Sequence, residues 1–106
     1  MAPRILKTPQ SPSIAEIRFA IIQYLLSQTR SSAREEVKLG VYRLLGHQFQ
    51  DVRWYELSGN NKPRWSERTG WEMDLLKKRG HIDNPKRDQW VLTPQGKSII
   101  SSSQCI

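Results

Sequence analysis

The chain has 106 residues, and its 17 lysines and arginines outnumber its 10 acids to give a net charge of +7. That length supplies one domain and leaves no chain for two independent cores. The charge excludes a partner that is itself basic and points to a polyanion, nucleic acid first and an anionic membrane surface second, while four tryptophans exclude a disordered basic tail.

Residues 1–12 carry Pro3, Pro9 and Pro12 with Arg4 and Lys7, the composition of a flexible, extended arm that is either a disordered leader or a groove-binding strap. Ser13-Ile14-Ala15-Glu16 then has capping-box spacing, and Ile14, Ile17, Ile21, Tyr24 and Leu25 follow at helical intervals, predicting a first helix over 13–28. Ser32-Ala33-Arg34-Glu35 repeats the capping signal. Val37, Val41, Leu44 and Leu45 continue one face, and Gly46 is placed as a left-handed stop, predicting a second helix over 32–46.

The connector 47–61 fits either a short helix capped by Asp51 or a short strand through Val52, Trp54 and Glu56, closed by the turn Ser58-Gly59-Asn60-Asn61. Pro63 suits a first helical position, where its missing N–H is no loss. Trp65, Trp71, Leu75 and Leu76 then share a broad face, and Gly80 follows three cations, predicting a third helix over 63–79. His81-Ile82-Asp83 and Gln89-Trp90-Val91-Leu92 are predicted strands around the turn 84–88. Thr93-Pro94 caps a last helix that Gly96 weakens and the serines at 101–103 fray. The expected fold is mainly α with a small β-hairpin, an α+β winged helix-turn-helix over 13–103 with a tail at 104–106.

Other chemistry is thinly represented. Cys105 is the single cysteine, and His47 and His81 show no metal-ligand spacing with it, so neither a disulfide nor a zinc site nor any cofactor is expected. The longest apolar run, Phe19-Ala20-Ile21-Ile22, is far below the ~20 residues of a membrane span, and the start lacks a signal peptide's apolar segment. The chain is expected to be cytoplasmic, at the nucleoid. Asp83, Lys86 and Asp88 lack the acid, acid-x-Lys arrangement of a metal-dependent nuclease, so no enzyme is expected.

The series Lys62-Pro63-Arg64-Trp65-Ser66-Glu67-Arg68-Thr69-Gly70-Trp71, Leu76-Lys77-Lys78, Gly80, Asn84-Pro85-Lys86-Arg87, Trp90 and Leu92-Thr93-Pro94-Gln95-Gly96 resembles the N-terminal domain of Mrr-type restriction proteins. The match is dense over 62–96 and rests on helix spacing alone over 13–61. The resemblance implies a winged helix that recognises DNA, base-modified DNA included, beside a nuclease domain in cis or in trans. The chain departs from the family's pattern, which has apolar or small residues at Thr69, Glu72 and Arg79, Leu at His81 and Gly at Asp88.

A winged helix places its third helix in the major groove, where each base pair shows its own donor and acceptor pattern. On a helical wheel Trp71, Leu75 and Leu76 turn inward. Ser66, Gly70 and Lys77 turn outward, with Arg64, Thr69 and Met73 on the flanks. The candidate DNA-binding residues are therefore Asn61, Lys62, Arg64, Trp65, Ser66, Thr69, Gly70, Met73 and Lys77, joined by Lys86 and Arg87 from the wing turn. Gly70 either admits a phosphate or base closely or only weakens the helix. Arg68 is expected to pair with Glu72. Trp71 and Trp90 are expected in the core, whereas Trp65, Trp54 and Tyr55 stay open between core and contact.

Regional charge is +3 over 1–30, zero over 31–58, +3 over 59–80 and +1 over 81–106, so the excess lies with the arm and the third helix. The partner expected is double-stranded DNA. The rivals are a dimeric transcription regulator, with Ile99-Ile100 serving a homodimer, and a winged helix that binds only protein.

Overall fold

Among residues 10–104, which the computed structural model describes, each helix starts where an oxygen stands ready for its free N–H groups. In α1 (Ile14–Leu26) the predicted capping box is complete: Ser13 Oγ accepts from the Glu16 N–H at 3.0 Å, and Glu16 Oε1 accepts from the Ser13 N–H at 2.9 Å. The Ser13 N–H, more than any other group, holds the Glu16 carboxyl below its ordinary range. Most of the expected arm, 1–9, lies outside the described residues. Its end does not hang free: Gln10 exchanges hydrogen bonds with Gln50, and Ser11 Oγ accepts from Trp54 Nε1 at 2.9 Å.

The second helix, α2 (Arg34–Leu45), corrects the predicted cap. Ser32 is buried, and its N–H and C=O both bond to the Trp90 backbone, at 3.0 and 2.8 Å. The cap position falls to Ala33, which has no side-chain acceptor. Two carboxylates replace it: Glu36 Oε1 accepts from the Ala33 N–H at 2.7 Å, and Asp88 Oδ1 accepts from the Arg34 N–H at 2.8 Å. Val37, Val41 and Leu45 are buried as expected, but Leu44 is exposed. Gly46 is right-handed, at φ −52° and ψ −36°, because the chain tightens there into a 3-10 turn (Gly46–Gln48) rather than stopping.

In the connector the helical alternative holds. A 3-10 turn, Val52–Tyr55, is capped by Asp51, whose carboxylate accepts from the Arg53 N–H at 2.9 Å. The Arg53 guanidinium, and then that N–H, hold Asp51 below its ordinary range. The turn at 58–61 forms, with Asn61 at φ 63°. Pro63 is extended, at φ −64° and ψ 149°, so it precedes α3 (Arg64–Lys78) instead of opening it. Gly80 ends the helix at φ +83°.

The strands β1 (Ile82–Lys86) and β2 (Gln89–Leu92) pair antiparallel, Ile82 opposite Leu92 and Lys86 opposite Gln89. The predicted five-residue turn shrinks to Arg87-Asp88, because the strand continues through Pro85 with an irregularity where that residue has no N–H to give. Asp88 takes φ 56°, a value Gly or Asp tolerates. Trp90 enters the core as expected.

The last helix, α4 (Pro94–Gln104), opens as predicted, with Thr93 Oγ1 accepting from the Gly96 N–H at 3.1 Å, and it continues helical through the serines expected to fray. Ile100 is buried and Ile99 packs against the core, so this pair is not a free dimer surface. The core joins α1, α2 and α3 through Ile17, Ile21, Val37, Val41, Met73 and Leu76, and Ile82 and Trp90 seat the hairpin on it. The architecture is mainly helical, with one antiparallel hairpin in winged-helix-like order.

Gly96 is required rather than merely tolerated: a Cβ there would collide with the His81 carbonyl oxygen and Leu92. Gly96→Ala should lower unfolding stability in urea by about 2–3 kcal/mol with an unchanged slope. Gly59→Ala, with nothing within 4 Å, should stay within about 0.5 kcal/mol of wild type. The lowered carboxyls of Glu16 and Asp51 add stability that is complete above their ordinary values of 4.5 and 3.8 and is lost as pH falls through the folded values. Melting temperature should thus drop as pH falls from about 5 to about 2, and drop less in Glu16→Gln. An equal drop in the variant would assign the loss elsewhere.

Candidate nucleic-acid interface

The inward face of α3 differs from the one predicted. Ser66, Thr69, Gly70, Met73 and Leu76 are buried and Trp71 is 58 % exposed, so the helix is turned from the wheel drawn on its large apolar residues. Ser66 and Gly70 are thereby corrected from an outward position, and Thr69 and Met73 from a flanking one, to an inward position. Charged side chains of α1 and α2 lie against two positions of that side, Arg18 at Glu72 and Arg34 with Lys38 at Gly70. Thr69 Oγ1 donates to the Trp65 carbonyl at 2.8 Å and needs no outside partner. Glu72, 4 % exposed, accepts from Arg18 Nε at 2.7 Å and from Arg68 Nη1 at 3.4 Å. The expected Arg68–Glu72 pair is present, and Arg18 from α1 completes it.

Gly70 does admit a close neighbour, but that neighbour is Arg34. Its Nη2 donates to the Gly70 carbonyl at 3.0 Å, and a Cβ at Gly70 would sit 2.8 Å from the same nitrogen. The Arg34 guanidinium also pairs with Asp74 at 3.0 Å and lies 5.5 Å from the Trp90 ring. Lys77 Nζ approaches the same ring at 5.9 Å.

Arg34 is a site residue outside the predicted set. Its signal was present in the sequence: a cation in the first turn opposes the helix dipole and requires partners from elsewhere.

The exposed residues of the predicted set form two groups. The first surrounds the N-terminus of α2. Lys62 Nζ reaches Glu35 Oε2 at 3.5 Å, so the lead-in to α3 lies against the first turn of α2. Asp88 brings the hairpin turn, with exposed Arg87 beside it, to that same turn. Lys77 joins through Trp90. Lys86 and Asn61 are exposed in the adjoining hairpin and turn. Among the described residues Lys77, Lys86 and Arg87 have no carboxylate within ion-pair distance.

Arg64 belongs to the second group, in a cleft with Trp54, Leu57, Arg68 and Trp71 on another side of α3. Trp65 is in neither group. Its ring packs 4.6 Å from Tyr42 and is half-buried against the core. Of the other two residues left open beside Trp65, Trp54 stacks edge-on to Phe49 at 5.0 Å. Tyr55 donates to the Phe49 carbonyl at 2.7 Å and so accepts from the Tyr42 hydroxyl at 2.9 Å, and its phenol is pushed up to about 12, first by Tyr42 and then by desolvation.

Three helices, a hairpin seated on them and cations gathered at the start of the second helix and on the hairpin turn define a winged-helix-like domain with a basic surface. The chain belongs to the Mrr N-terminal domain family, whose family model matches residues 15–102. No curated protein matches it, and no solved structure does. The match extends through the first two helices, where the sequence resemblance rested on spacing alone. Among the described residues no His, Cys, Asp and Glu cluster could hold a metal, and no helix is long and apolar enough to cross a membrane.

Glu72 ties α1 to α3, and a double-mutant cycle of Arg18→Ala and Glu72→Ala measures that tie. Arg18 keeps 29 % side-chain exposure, so the coupling should be about 1–2 kcal/mol, below that of a fully buried pair. A value under ~0.5 kcal/mol would mean the two residues act independently.

Proposed function

We propose that this chain is the double-stranded DNA-recognition module of a restriction system, with α3 at the major groove, the hairpin turn on the phosphate backbone and a nuclease domain in cis or in trans. The observation that carries the reading is the hydrogen bond from the Arg34 N–H to Asp88 Oδ1. It fixes the hairpin turn beside the α2 N-terminus, and the Lys62–Glu35 contact sets the lead-in to α3 at the same place. Family membership supports a setting in restriction, and base-modified DNA is the target that setting favours.

The groove-facing set is Asn61, Lys62, Lys77, Lys86 and Arg87. Lys62 is held only by an exposed carboxylate at 3.5 Å, a pairing worth little that a phosphate can displace. Lys77, Lys86 and Arg87 need displace no acid among the described residues. Cations so placed attract phosphates through release of the duplex's condensed counterions, which makes affinity fall steeply with salt. In this reading the chain acts as reader, and the cutter is the nuclease domain.

A protein-binding reading has one observation of its own: Val52, Tyr55 and Leu57 are exposed together in the connector. It predicts binding insensitive to salt.

Gel shifts on methylated and unmethylated duplexes at two salt concentrations test the proposal. The logarithm of affinity should fall linearly with the logarithm of salt concentration. Lys86→Ala should weaken all sequences alike and reduce the slope by about 1. No retention of any duplex at low salt, or a slope of zero, would sink the DNA reading and leave the protein-binding one.

A further inference from the structure

Beside the proposed groove surface, α3 lines a cleft of about 650 Å³ with the connector and the end of the arm. That volume lies within the ~300–1,000 Å³ of ordinary ligand pockets. Its walls combine two indoles with three arginines. Trp71 is 58 % exposed, an unusual state for the largest apolar side chain, and the Arg68 guanidinium lies 5.2 Å from its ring. Trp54 is held in place from two sides, edge-on to Phe49 and through Nε1 to Ser11 Oγ.

The arginines differ in their freedom. Arg53 is bound to Asp51 at 2.7 Å, and Arg68 is shared with Glu72. Arg64 alone of the three has no carboxylate within ion-pair distance among the described residues. The cleft also carries two carboxylates, Asp51 and Glu67, so its net charge is one positive unit.

We infer that this cleft binds one nucleotide unit: a planar base stacked on Trp71 and a single phosphate on the guanidinium of Arg64. Each part of that ligand answers a feature of the walls. An exposed indole backed by a guanidinium stacks on the π-face of any base. A free arginine fork matches two phosphate oxygens. The Glu67 carboxylate accepts from an exocyclic amino group, as it already does from Asn60 Nδ2 at 3.2 Å. One net positive charge balances one phosphodiester. A purely apolar ligand would leave Arg64 desolvated and unpaired, and an inorganic anion would leave the indole unused.

Such a unit has two sources, a free mononucleotide or a nucleotide swung out of a duplex. Extrusion costs a few kcal/mol, least at a mispaired base. The second source rests on the DNA reading above, and the first does not.

The test uses the full chain. Tryptophan emission is titrated with deoxyadenosine monophosphate, with inorganic phosphate as the control. In parallel, 2-aminopurine emission is followed in a duplex that places the probe at a central mispair. Saturable quenching by the mononucleotide and not by phosphate, weakened at least tenfold in Trp71→Ala and in Arg64→Ala but not in Lys86→Ala, supports the site with a free nucleotide. A Trp71-dependent change of 2-aminopurine emission supports it with an extruded one. Trp71 is on the surface, so its removal leaves the core intact, and Trp71→Phe, which keeps a stacking face, should lose less than Trp71→Ala. If neither probe gives a Trp71-dependent signal, the site is refuted, and salt-dependent duplex binding that survives in Trp71→Ala would then leave the DNA reading standing. Mononucleotide binding without duplex binding refutes the DNA reading and keeps the cleft.

Discussion

The start of α2 lacks a cap of its own, and the arrangement of the domain follows from how that lack is met. Ala33 offers no acceptor, and Arg34 adds a positive charge where the helix dipole is already positive. The Asp88 carboxylate arrives from the hairpin turn to accept from the Arg34 N–H, and Ser32 and Trp90 exchange two backbone hydrogen bonds just upstream. Together these bonds lock the hairpin against the helical body. They also turn the Arg34 side chain away from its own helix and onto α3, where Gly70 has no Cβ to block it and Asp74 supplies a carboxylate. One missing cap thus connects the second helix, the third helix and the hairpin. The glycine expected at position 88 from the family pattern would keep the backbone turn but lose this bond.

The same polar contacts divide the net charge into bound and free parts. Arg18, Arg34, Arg53 and Arg68 are each held by an internal carboxylate. Lys38, almost fully buried, reaches only Glu35, at 3.4 Å. Among the described residues Arg30, Arg43, Arg64, Lys77, Lys78, Arg79, Lys86, Arg87 and Lys97 have none. Six of these nine lie on α3, at its C-terminal end or on the hairpin, so the excess that a polyanion would meet is weighted toward those elements without being confined to them. His81, where the resemblance leads one to expect Leu, is left without compensation among the described residues. Its Nδ1 is buried and unbonded, and nothing in the structure explains that choice.

Much of the fold was legible because its signals are local. Ser13 with Glu16, Asp51, Thr93 and Gly80 each act within a few residues, and each does what its position predicts. The second cap failed for the opposite reason: Ser32 is claimed by Trp90, a partner 58 positions away that no local pattern contains. The face of α3 is not legible from side-chain size, because the large ring of Trp71 lies outside while Ser66 and Thr69 lie inside. Ser66, Thr69, Met73 and Leu76 are spaced three, four and three apart, a regular helical stripe. Its first half is polar, so Trp71 and Leu75 appeared to define the apolar side. What lies over Gly70 is Arg34 and Lys38 from α2, and charged side chains rarely serve as a lid on a core face.

Once the face is corrected, the predicted site divides along a line set by helix geometry. Successive residues turn by about 100°, so Lys62, just ahead of the helix, and Arg64, at its first turn, need not face the same way. Lys62 goes to the α2 N-terminus and the hairpin, whereas Arg64 goes to the cleft. The connector makes this division possible. Its 3-10 turn stands Trp54 and Arg53 against the flank of α3 that would otherwise be open to water, and the Glu56 carbonyl accepts from the Arg64 N–H at 3.0 Å. A shorter link between α2 and α3 would leave that flank as plain surface and Trp71 as an exposed ring without a second wall. The length of 46–63 therefore does more than join two helices. It gives α3 a second occupied side, so that a residue numbered within one basic cluster in the sequence belongs in space to an aromatic cleft.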